Sequence, residues 1–215
     1  EKLRRAEMKA LQEQIKPHFI YNTLDLIIGL LETNKNEDVI NTVEALGAFF
    51  RTSLSQGQEL ITIREEAEHV RNYLYIQRRR HGDKYDYAIE IEERLLNKKT
   101  IKLILQPLVE NAIYHGVREL ETPGGLILIK GFLLEPANTI CFQVIDNGAG
   151  MEPAKMEEIN RCLRESGTGQ RYFGLSNVNE RIRLAFGPEY GLALSPTPGG
   201  GVTATIKLPV VEGKG

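Results

Sequence analysis

The sequence has few of the features that mark disulfide-stabilised, membrane-spanning or nucleic-acid-binding proteins. Its two cysteines, Cys141 and Cys162, stand in unrelated surroundings. They therefore indicate neither a disulfide framework nor a metal site, as expected in a reducing cytosol. The sequence has no run of about 18 apolar residues, the length that a membrane-spanning helix needs. Its 29 acidic and 27 basic residues nearly balance, so bulk charge gives no reason to expect nucleic-acid binding.

What is present suits a globular protein of two parts. The length of 215 residues is long for one compact domain, and an apolar fraction of 41% is enough for a buried core. We predict a helical region over residues 1–60 and a second domain over residues 61–215, because the helical pattern breaks near residues 57–62. The chain begins at Glu1 within a helical pattern, and we expect it to be a piece of a longer protein whose first helix continues upstream.

The first part predicts a helical hairpin. Residues 1 to about 33 are strong helix formers, with no glycine before Gly29. Residues 38–55 predict a second helix after a short turn. Two such hairpins can close a four-helix bundle, so we predict a homodimer through residues 1–56. The apolar stripe of the first helix, at spacings of three and four, contains Met8, Leu11, Ile15, Phe19 and Leu26.

Pro17 and His18 stand side by side within this first helix. Proline costs about 3 kcal/mol in a helix interior, but it is tolerated at the first turn of a new helix. On the simpler interpretation, Pro17 starts a helix and His18 is an ordinary polar residue. His18 and Asn22 share one face of that helix, beside the apolar stripe, so the imidazole would remain accessible to a substrate.

The second part alternates between helix-like and strand-like segments. Thr62 and Glu65 predict a capping box at the start of a helix. Helices on one side of a mostly antiparallel sheet make an α+β sandwich. The predicted fold class is therefore α+β, a helical-hairpin dimerisation region followed by an α/β sandwich. The predicted helices are 63–80, 101–115, 153–163 and 175–185, and the predicted strands are 60–63, 85–91, 126–134, 139–145, 192–195 and 202–208.

Three polar clusters punctuate this second part. The asparagine box, residues 110–116, ends an otherwise apolar helix, and the amide oxygen of Asn111 is a hard donor suited to Mg²⁺. The first glycine box, residues 146–151, follows a strand, and its glycines let a ligand approach the backbone and the carboxylate of Asp146. The second glycine box, residues 167–181, offers free amides at a helix start, which suit phosphate. Each cluster alone is a weak signal, because Gly-x-Gly turns occur in any fold.

Taken together and in this order, the clusters resemble the nucleotide-binding boxes of the GHKL superfamily, which has the Bergerat fold and includes gyrase, MutL and histidine kinases. The resemblance covers roughly residues 63–210. It implies that Asn111 holds Mg²⁺, that Asp146 reads the adenine amino group, and that Thr203 helps at the adenine end. The other residues that it implies for ATP binding are His115, Gly116, Gly148, Gly150, Met151, Gly169, Gly174 and Leu175.

With these boxes downstream, Pro17-His18-Phe19-x-x-Asn22 resembles the phosphoacceptor box of the LytS/YesM-like sensor histidine kinases. The resemblance then extends over nearly the whole chain. It implies a two-component kinase in which ATP, with Mg²⁺, phosphorylates His18, and the phosphoryl group passes to an aspartate of a response regulator. The implied parent protein is anchored in a bacterial membrane through a missing N-terminal part, with this fragment in the cytoplasm.

Several residues depart from the family pattern. An acidic residue often follows the phosphoacceptor as a base, but here Phe19 follows it, so Glu110 is our candidate base. Pro107 stands where water-hydrolysing relatives carry a glutamate, which argues against plain ATP hydrolysis as the main activity. Tyr114 replaces a lysine that often contacts phosphate. Asn22, one turn after His18, is placed to orient water on phosphohistidine.

Two other classes of function stay open on the sequence alone. A GHKL nucleotide-binding module would use ATP for conformational switching without histidine phosphorylation, and an anti-sigma-type kinase would phosphorylate a serine of a partner. Pro17 also suggests a hypothesis about signalling. Because it frees the carbonyl of Glu13, the helix would bend just before His18, and an upstream push would change the access of His18 to ATP.

Overall fold

The computed structural model describes residues 17–54, 59–82, 84–165 and 172–212. Within these ranges the chain forms six α-helices and seven strands: α1 (Pro17–Glu32), α2 (Asn36–Ser53), β1 (Leu60–Thr62), α3 (Ile63–His81), β2 (Tyr85–Ile91), β3 (Lys99–Ile101), α4 (Gln106–Asn111), β4 (Gly125–Leu134), β5 (Thr139–Asp146), α5 (Pro153–Arg164), α6 (Phe173–Phe186), β6 (Gly191–Pro196) and β7 (Val202–Pro209). No helix of the described residues is both long and apolar enough to cross a bilayer. The predicted positions Met8, Leu11, Ile15 and Gly169, and the freed carbonyl of Glu13, lie outside the described residues.

Helices α1 and α2 form the predicted hairpin. The turn between them places Asn34 at φ 54°, a left-handed conformation that asparagine tolerates better than most residues. The N–H of Lys35 donates to the carbonyl of Leu30 at 2.9 Å and closes the turn. The buried hydroxyls of Thr23 and Thr42 each donate, at 2.7 Å, to a carbonyl four residues earlier in their own helix, so neither polar group is left unsatisfied.

The hairpin packs against α3, and the rings of three aromatic residues meet there. Phe19 of α1 lies 4.8 Å from Phe49 of α2 and 5.2 Å from Tyr73 of α3, between ring centroids. All three side chains are buried, and they are continuous with the core that lies beneath the sheet. In this structure the hairpin and the sandwich therefore share one hydrophobic core. The division at residues 60 and 61 remains a prediction.

Helix α3 begins with the capping box that the sequence predicts. The N–H of Glu65 donates to the hydroxyl of Thr62 at 3.1 Å, and the N–H of Thr62 donates to the Glu65 carboxylate at 2.7 Å. Two backbone donors that have no partner within the helix are satisfied in this way. One face of the helix is buried against the rest of the protein and includes Ala67, Val70, Leu74 and Gln77.

The main sheet has five strands in the order β2-β4-β5-β7-β6. Only the β2–β4 pair is parallel among these strands; the other three pairs are antiparallel. Alternate residues of the central strands, such as Ile127, Phe142 and Ile206, are fully buried against the helices. The short strands β1 and β3 form a separate antiparallel pair. The predicted α+β sandwich is confirmed.

The predicted helix over residues 101–115 is wrong in its first third, residues 101–105. Helix α4 begins only at Gln106, with Pro107 in its first turn, where a missing N–H leaves no gap. The residues before it are held by the buried carboxylate of Glu66, which accepts the N–H groups of Leu103, Ile104 and Leu105 at 2.7–2.8 Å. These N–H groups thus donate to a side-chain carboxylate instead of to backbone carbonyls of a helix. After α4 the chain continues through a wide π-helical turn, Ala112–Gly116.

Candidate functional site

A cavity of about 780 Å³ opens between α4, the π-helical turn, the end of β5, α5, the start of α6, and β6 and β7. Its volume lies in the range of small-molecule sites. Most of the residues predicted for nucleotide binding line it, although they come from distant parts of the sequence: Asn111, His115, Gly116, Asp146, Gly150, Met151, Gly174 and Leu175.

Asp146 is the buried polar group of this cavity. It is the last residue of β5, and its side chain is among the buried polar groups of the protein. One carboxylate oxygen accepts the N–H of Gly148 at 2.8 Å. Burial raises the pKa of the Asp146 carboxyl above its ordinary value, with backbone hydrogen bonds from Gly148 and Val202 acting the other way. The carboxylate lies at the wall of the cavity, where it can accept a hydrogen bond from a ligand.

Three glycines bring the backbone close to this carboxylate. A Cβ at Gly148 would lie 2.2 Å from the carbonyl carbon of Gly116, and one at Gly116 would lie 2.8 Å from a carboxylate oxygen of Asp146. Gly201 has φ +93°, and its Cβ would lie 2.0 Å from the backbone oxygen of Asp146. The first glycine box is thus packed directly on the asparagine box, so Gly148 shapes the cavity without lining it.

Asn111 is the last residue of α4 and lines the cavity, half-buried. The neighbouring Glu110 does not line it; its carboxylate accepts a hydrogen bond from the side-chain amide of Gln106 at 3.1 Å. Asn111 is therefore placed to contact a ligand or a ligand-bound ion. Glu110 belongs to the contacts between α4 and its neighbouring helices.

Helix α6 begins at the cavity. Gly174 and Leu175 lie in its first turn and line the cavity, and among the described residues no side chain caps the helix start at Tyr172. Unpaired N–H groups at the start of a helix attract phosphate. Gly169 and Arg171, the other predicted lid residues, lie outside the described residues.

Thr203 does not line the cavity. Its side chain is buried, with its hydroxyl oxygen 2.9 Å from that of Thr197. Its neighbours Val202 and Ala204 line the cavity instead, together with Leu194 of β6.

Sequence reasoning missed other lining residues: Glu119, Glu152, Lys155, Ile159 and Tyr172. Lys155 is the notable one, because it is a cation on α5 at the wall of the cavity. No motif or spacing in the sequence marks it. Its position follows only from how α5 packs on β6.

The structure does not bring His18 or Asn22 to the cavity. Both lie on α1, with His18 exposed and Asn22 half-buried, and neither lines the cavity. Phe19, between them, is buried against Phe49 and Tyr73. The imidazole of His18 is therefore exposed to solvent, while its helix is anchored by the buried ring of Phe19.

Comparison with known proteins gives evidence on the family and the fold of this chain. A family profile described as "Histidine kinase" matches residues 6–85, and one described as "Histidine kinase-, DNA gyrase B-, and HSP90-like ATPase" matches residues 97–212. The chain is similar to the sensor histidine kinase YesM of Bacillus subtilis, with 36% identity over 96% of this chain and 34% of that protein. It is 31% identical to the sensor protein LytS of Bacillus anthracis, over 99% of this chain and 35% of that protein. The chain thus spans about a third of the length of these relatives.

Solved structures share the fold. The catalytic domain of histidine kinase ThkA superposes with a TM-score of 0.51 at 18% identity, over 71% of this chain and 95% of that one. Full-length ShkA, in complex with AMPPNP, superposes with a TM-score of 0.51 at 16% identity, over 84% of this chain and 38% of that one.

Proposed function

The chain belongs to the family of histidine kinase-, DNA gyrase B- and HSP90-like ATPases, and from this premise we propose that it is the catalytic part of a two-component sensor histidine kinase. Its substrate is ATP, its phosphoacceptor is His18, and the phosphoryl group passes on to an aspartate of a response regulator. The observation that carries the proposal is that one cavity collects Asn111, Asp146, Gly150 and Gly174 while an exposed histidine follows Pro17 on α1. The Histidine kinase profile over residues 6–85 supports the assignment of the first part.

Nucleotide and metal fit the residues that are present. The cavity has the volume of a small-molecule site, with a buried carboxylate for the adenine amino group and the start of a helix for phosphate. The described residues contain no cluster of three or more histidine, cysteine or acidic side chains that would hold a metal by itself. Mg²⁺ in kinases is commonly held by few protein ligands together with the phosphates, so the amide oxygen of Asn111 suffices as a protein ligand. The bound ion would neutralise charge on the phosphates.

The proposed reaction is an in-line displacement at the γ-phosphorus. The lone pair of one ring nitrogen of His18 forms the new P–N bond, and the bond between the γ-phosphorus and the bridging oxygen breaks, releasing ADP. The proton on the other ring nitrogen passes to a base, for which Glu110 is our candidate. Since the transition state is loose, positioning and charge neutralisation matter more than covalent chemistry by the protein. Asn22, four residues after His18, is proposed to orient water on phosphohistidine.

His18 has to meet the nucleotide by a movement of the hairpin or through a second subunit. A second copy is our proposal for the partner of the hairpin, because apolar side chains stay exposed along it: Tyr21, Leu24, Ile28, Leu31, Ile40, Val43 and Leu54. We propose that the chain acts as a homodimer and passes its phosphoryl group to a response regulator. We also propose that it belongs to a membrane-anchored parent protein.

Labelling with γ-³²P-ATP and Mg²⁺ tests the function. We expect label that is labile to acid and stable to base, as for a phosphoramidate, and that is lost in His18→Gln. Asp25→Asn, a change at an exposed residue of the same helix, should leave the label intact.

The other outcomes separate the alternatives. ATP binding without any label would favour a nucleotide-dependent switching module. Acid-stable label on an added protein would favour a serine kinase. Acid-labile label that survives His18→Gln would place the acceptor elsewhere in the chain.

A further inference from the structure

A chain of two hydrogen bonds links the buried side of α3 to the asparagine box. His69 of α3 is fully buried, and its Nε2 lies 2.7 Å from Oε1 of Gln106. The amide nitrogen of Gln106 donates in turn to the carboxylate of Glu110 at 3.1 Å. Gln106 and Glu110 are the first and fifth residues of α4, so the bridge runs along the helix that ends at Asn111.

The donor and the acceptor of each of these two hydrogen bonds are fixed by the chemistry of Gln106. An amide nitrogen can only donate and an amide oxygen can only accept. With the Gln106 nitrogen turned to Glu110, its oxygen must accept from His69, and Nε2 of His69 therefore carries the proton. Burial lowers the pKa of His69, with its hydrogen bonds to Gln106 and to the backbone of Phe49 acting the other way. Nε2 can donate to Gln106 in either charge state of the ring. His69 thus sets the orientation of Gln106, and Gln106 constrains Glu110.

One face of the His69 ring contacts the hairpin. Its ring stacks on that of Phe49 with 4.5 Å between centroids and 22° between planes. Phe49 belongs to α2 and packs on Phe19, the residue after His18. A continuous set of contacts therefore joins the phosphoacceptor helix to Glu110 through Phe19, Phe49, His69 and Gln106.

A second set of contacts runs in parallel. Phe19 also packs on Tyr73 of α3. The side-chain amide of Gln77 donates to the hydroxyl of Tyr73 at 2.9 Å and lies 3.3 Å from that of Tyr114, in the π-helical turn of the asparagine box. Both sets of contacts begin at the hairpin and end in the asparagine box. A shift of the hairpin would therefore change the contacts that hold α4 and the π-helical turn.

We propose that His69 and Gln106 are positioning residues for phosphoryl transfer, which hold the asparagine-box helix in the orientation that the docked hairpin dictates. The inference rests on the proposed kinase function and adds a route by which the hairpin controls it. Neither residue touches the nucleotide cavity, so their loss should change the rate of transfer to His18 and leave the affinity for ATP alone.

Two substitutions at His69 separate its two contacts. His69→Phe keeps an aromatic ring against Phe49 and removes the donor to Gln106. His69→Gln keeps a donor near the Nε2 position and removes the ring. Gln106→Met removes the bridge from the other side with little change of volume. Glu68→Gln, at an exposed residue of the same helix, is the matched control.

The measurements are the rate of His18 labelling at saturating γ-³²P-ATP, the affinity for ATP by calorimetry, and the melting temperature. We expect His69→Phe and Gln106→Met each to slow labelling about fivefold or more, the change that loss of one hydrogen bond produces. ATP affinity should stay within about twofold of wild type, the scatter of independent sites. His69→Gln should be faster than His69→Phe, and the double variant His69→Phe/Gln106→Met should be no slower than the slower single variant.

The result that overturns the inference is wild-type labelling in both His69→Phe and Gln106→Met. Multiplicative losses in the double variant, or ATP affinity that falls in step with the rate, would also overturn it. If His69→Phe does not fold, Gln106→Met alone decides, since its site is only half-buried. Absence of label in the wild-type protein would count against the kinase function instead.

Discussion

At the scale of single residues, Asp146 carries a charge where burial opposes it. Its folded-state pKa is raised, so its favourable contribution to folding is complete below the unfolded pKa of about 3.9 and is lost as the pH rises through the folded pKa. At neutral pH the ionised carboxylate therefore lowers stability. Such a group is expected at a binding site, where a ligand donor compensates for the cost that the empty protein bears.

We predict that Asp146→Asn separates binding from stability. ATP affinity should fall about 30-fold or more, because a hydrogen bond to a charged group contributes about 2 kcal/mol. The melting temperature without nucleotide should equal or exceed that of wild type, because removal of the buried charge outweighs the loss of one acceptor for the backbone N–H groups of Gly148 and Val202. Calorimetric titration and thermal unfolding measure the two effects, with Glu90→Gln, at an exposed strand residue, as the control. A variant that unfolds earlier but binds ATP normally would contradict the assignment.

Gly148 is predicted to tolerate no side chain. Its Cβ would meet the backbone of Gly116 at 2.2 Å, and backbone cannot move aside as a flexible side chain does. Gly148→Ala should therefore cost about 1–3 kcal/mol of unfolding free energy and weaken ATP binding by displacing Gly116.

Gly47→Ala provides the control for this prediction. In the middle of α2 its new Cβ would meet only the end of the Arg51 side chain, at 3.7 Å. It should leave ATP binding unchanged and raise stability by about 0.5–1 kcal/mol. Urea unfolding of both variants checks the pair; equal stability of the two would show that the close approach of the boxes is relaxed in solution.

The contrast between Asp146 and Lys155 shows how far residue-level prediction reaches. Asp146 belongs to a short motif that can be recognised in the sequence, a carboxylate at the end of a strand followed by glycines. Lys155 lines the same cavity but owes its position to the packing of α5, which no local pattern encodes. Gly148 was predicted for nucleotide binding, and the structure adds a physical reason for glycine there, namely its contact with Gly116.

At the scale of elements, six of the seven strands of the described residues were predicted within one or two residues because alternating burial is a local signal, whereas β3 was missed. The predicted strand 139–145 is β5 (Thr139–Asp146), and 202–208 is β7 (Val202–Pro209). The first five residues of the predicted helix 101–115 are not helical, because the group that competes for their N–H groups is distant in the sequence. Glu66, nearly forty residues earlier, captures three backbone N–H groups and prevents the helix from starting before Gln106.

Glu66 is therefore predicted to be the anchor of this segment. Burial raises its pKa, while three backbone N–H groups and the Arg181 guanidinium favour its ionised form. Glu66→Gln has one acceptor oxygen and turns an NH₂ group towards backbone donors. It should lower the unfolding free energy by about 2 kcal/mol or more.

Denaturant unfolding tests this prediction, with Glu68→Gln as the control on the exposed side of the same helix. The loss should appear in the midpoint of the transition. A midpoint equal to that of the control would show that the three bonds contribute nothing to stability.

At the scale of the whole molecule, the hairpin has two apolar faces, and the described residues of the chain cover only one of them. Phe19, Thr23 and Leu30 of α1 are buried against α2 and α3, whereas Leu24, Ile28 and Leu31 lie exposed on the opposite side. Ile40 and Val43 of α2, and Leu54 directly after it, are also exposed. Their spacings of three and eleven residues place them on one side of a helix. An uncovered apolar surface of this kind marks an interaction site.

Ile28→Glu is predicted to break the proposed dimer. A second hairpin would bury two copies of the new carboxylate without a cationic partner, which costs several kcal/mol, whereas in the monomer the side chain stays in water and folding should be unaffected. Light scattering coupled to size exclusion should show a wild-type dimer and an Ile28→Glu monomer with unchanged circular dichroism. Asn41→Glu adds the same charge to α2 outside the apolar surface and should remain dimeric. A monodisperse wild-type monomer at micromolar concentration would exclude the bundle, and His18 would then have to reach the cavity of its own chain.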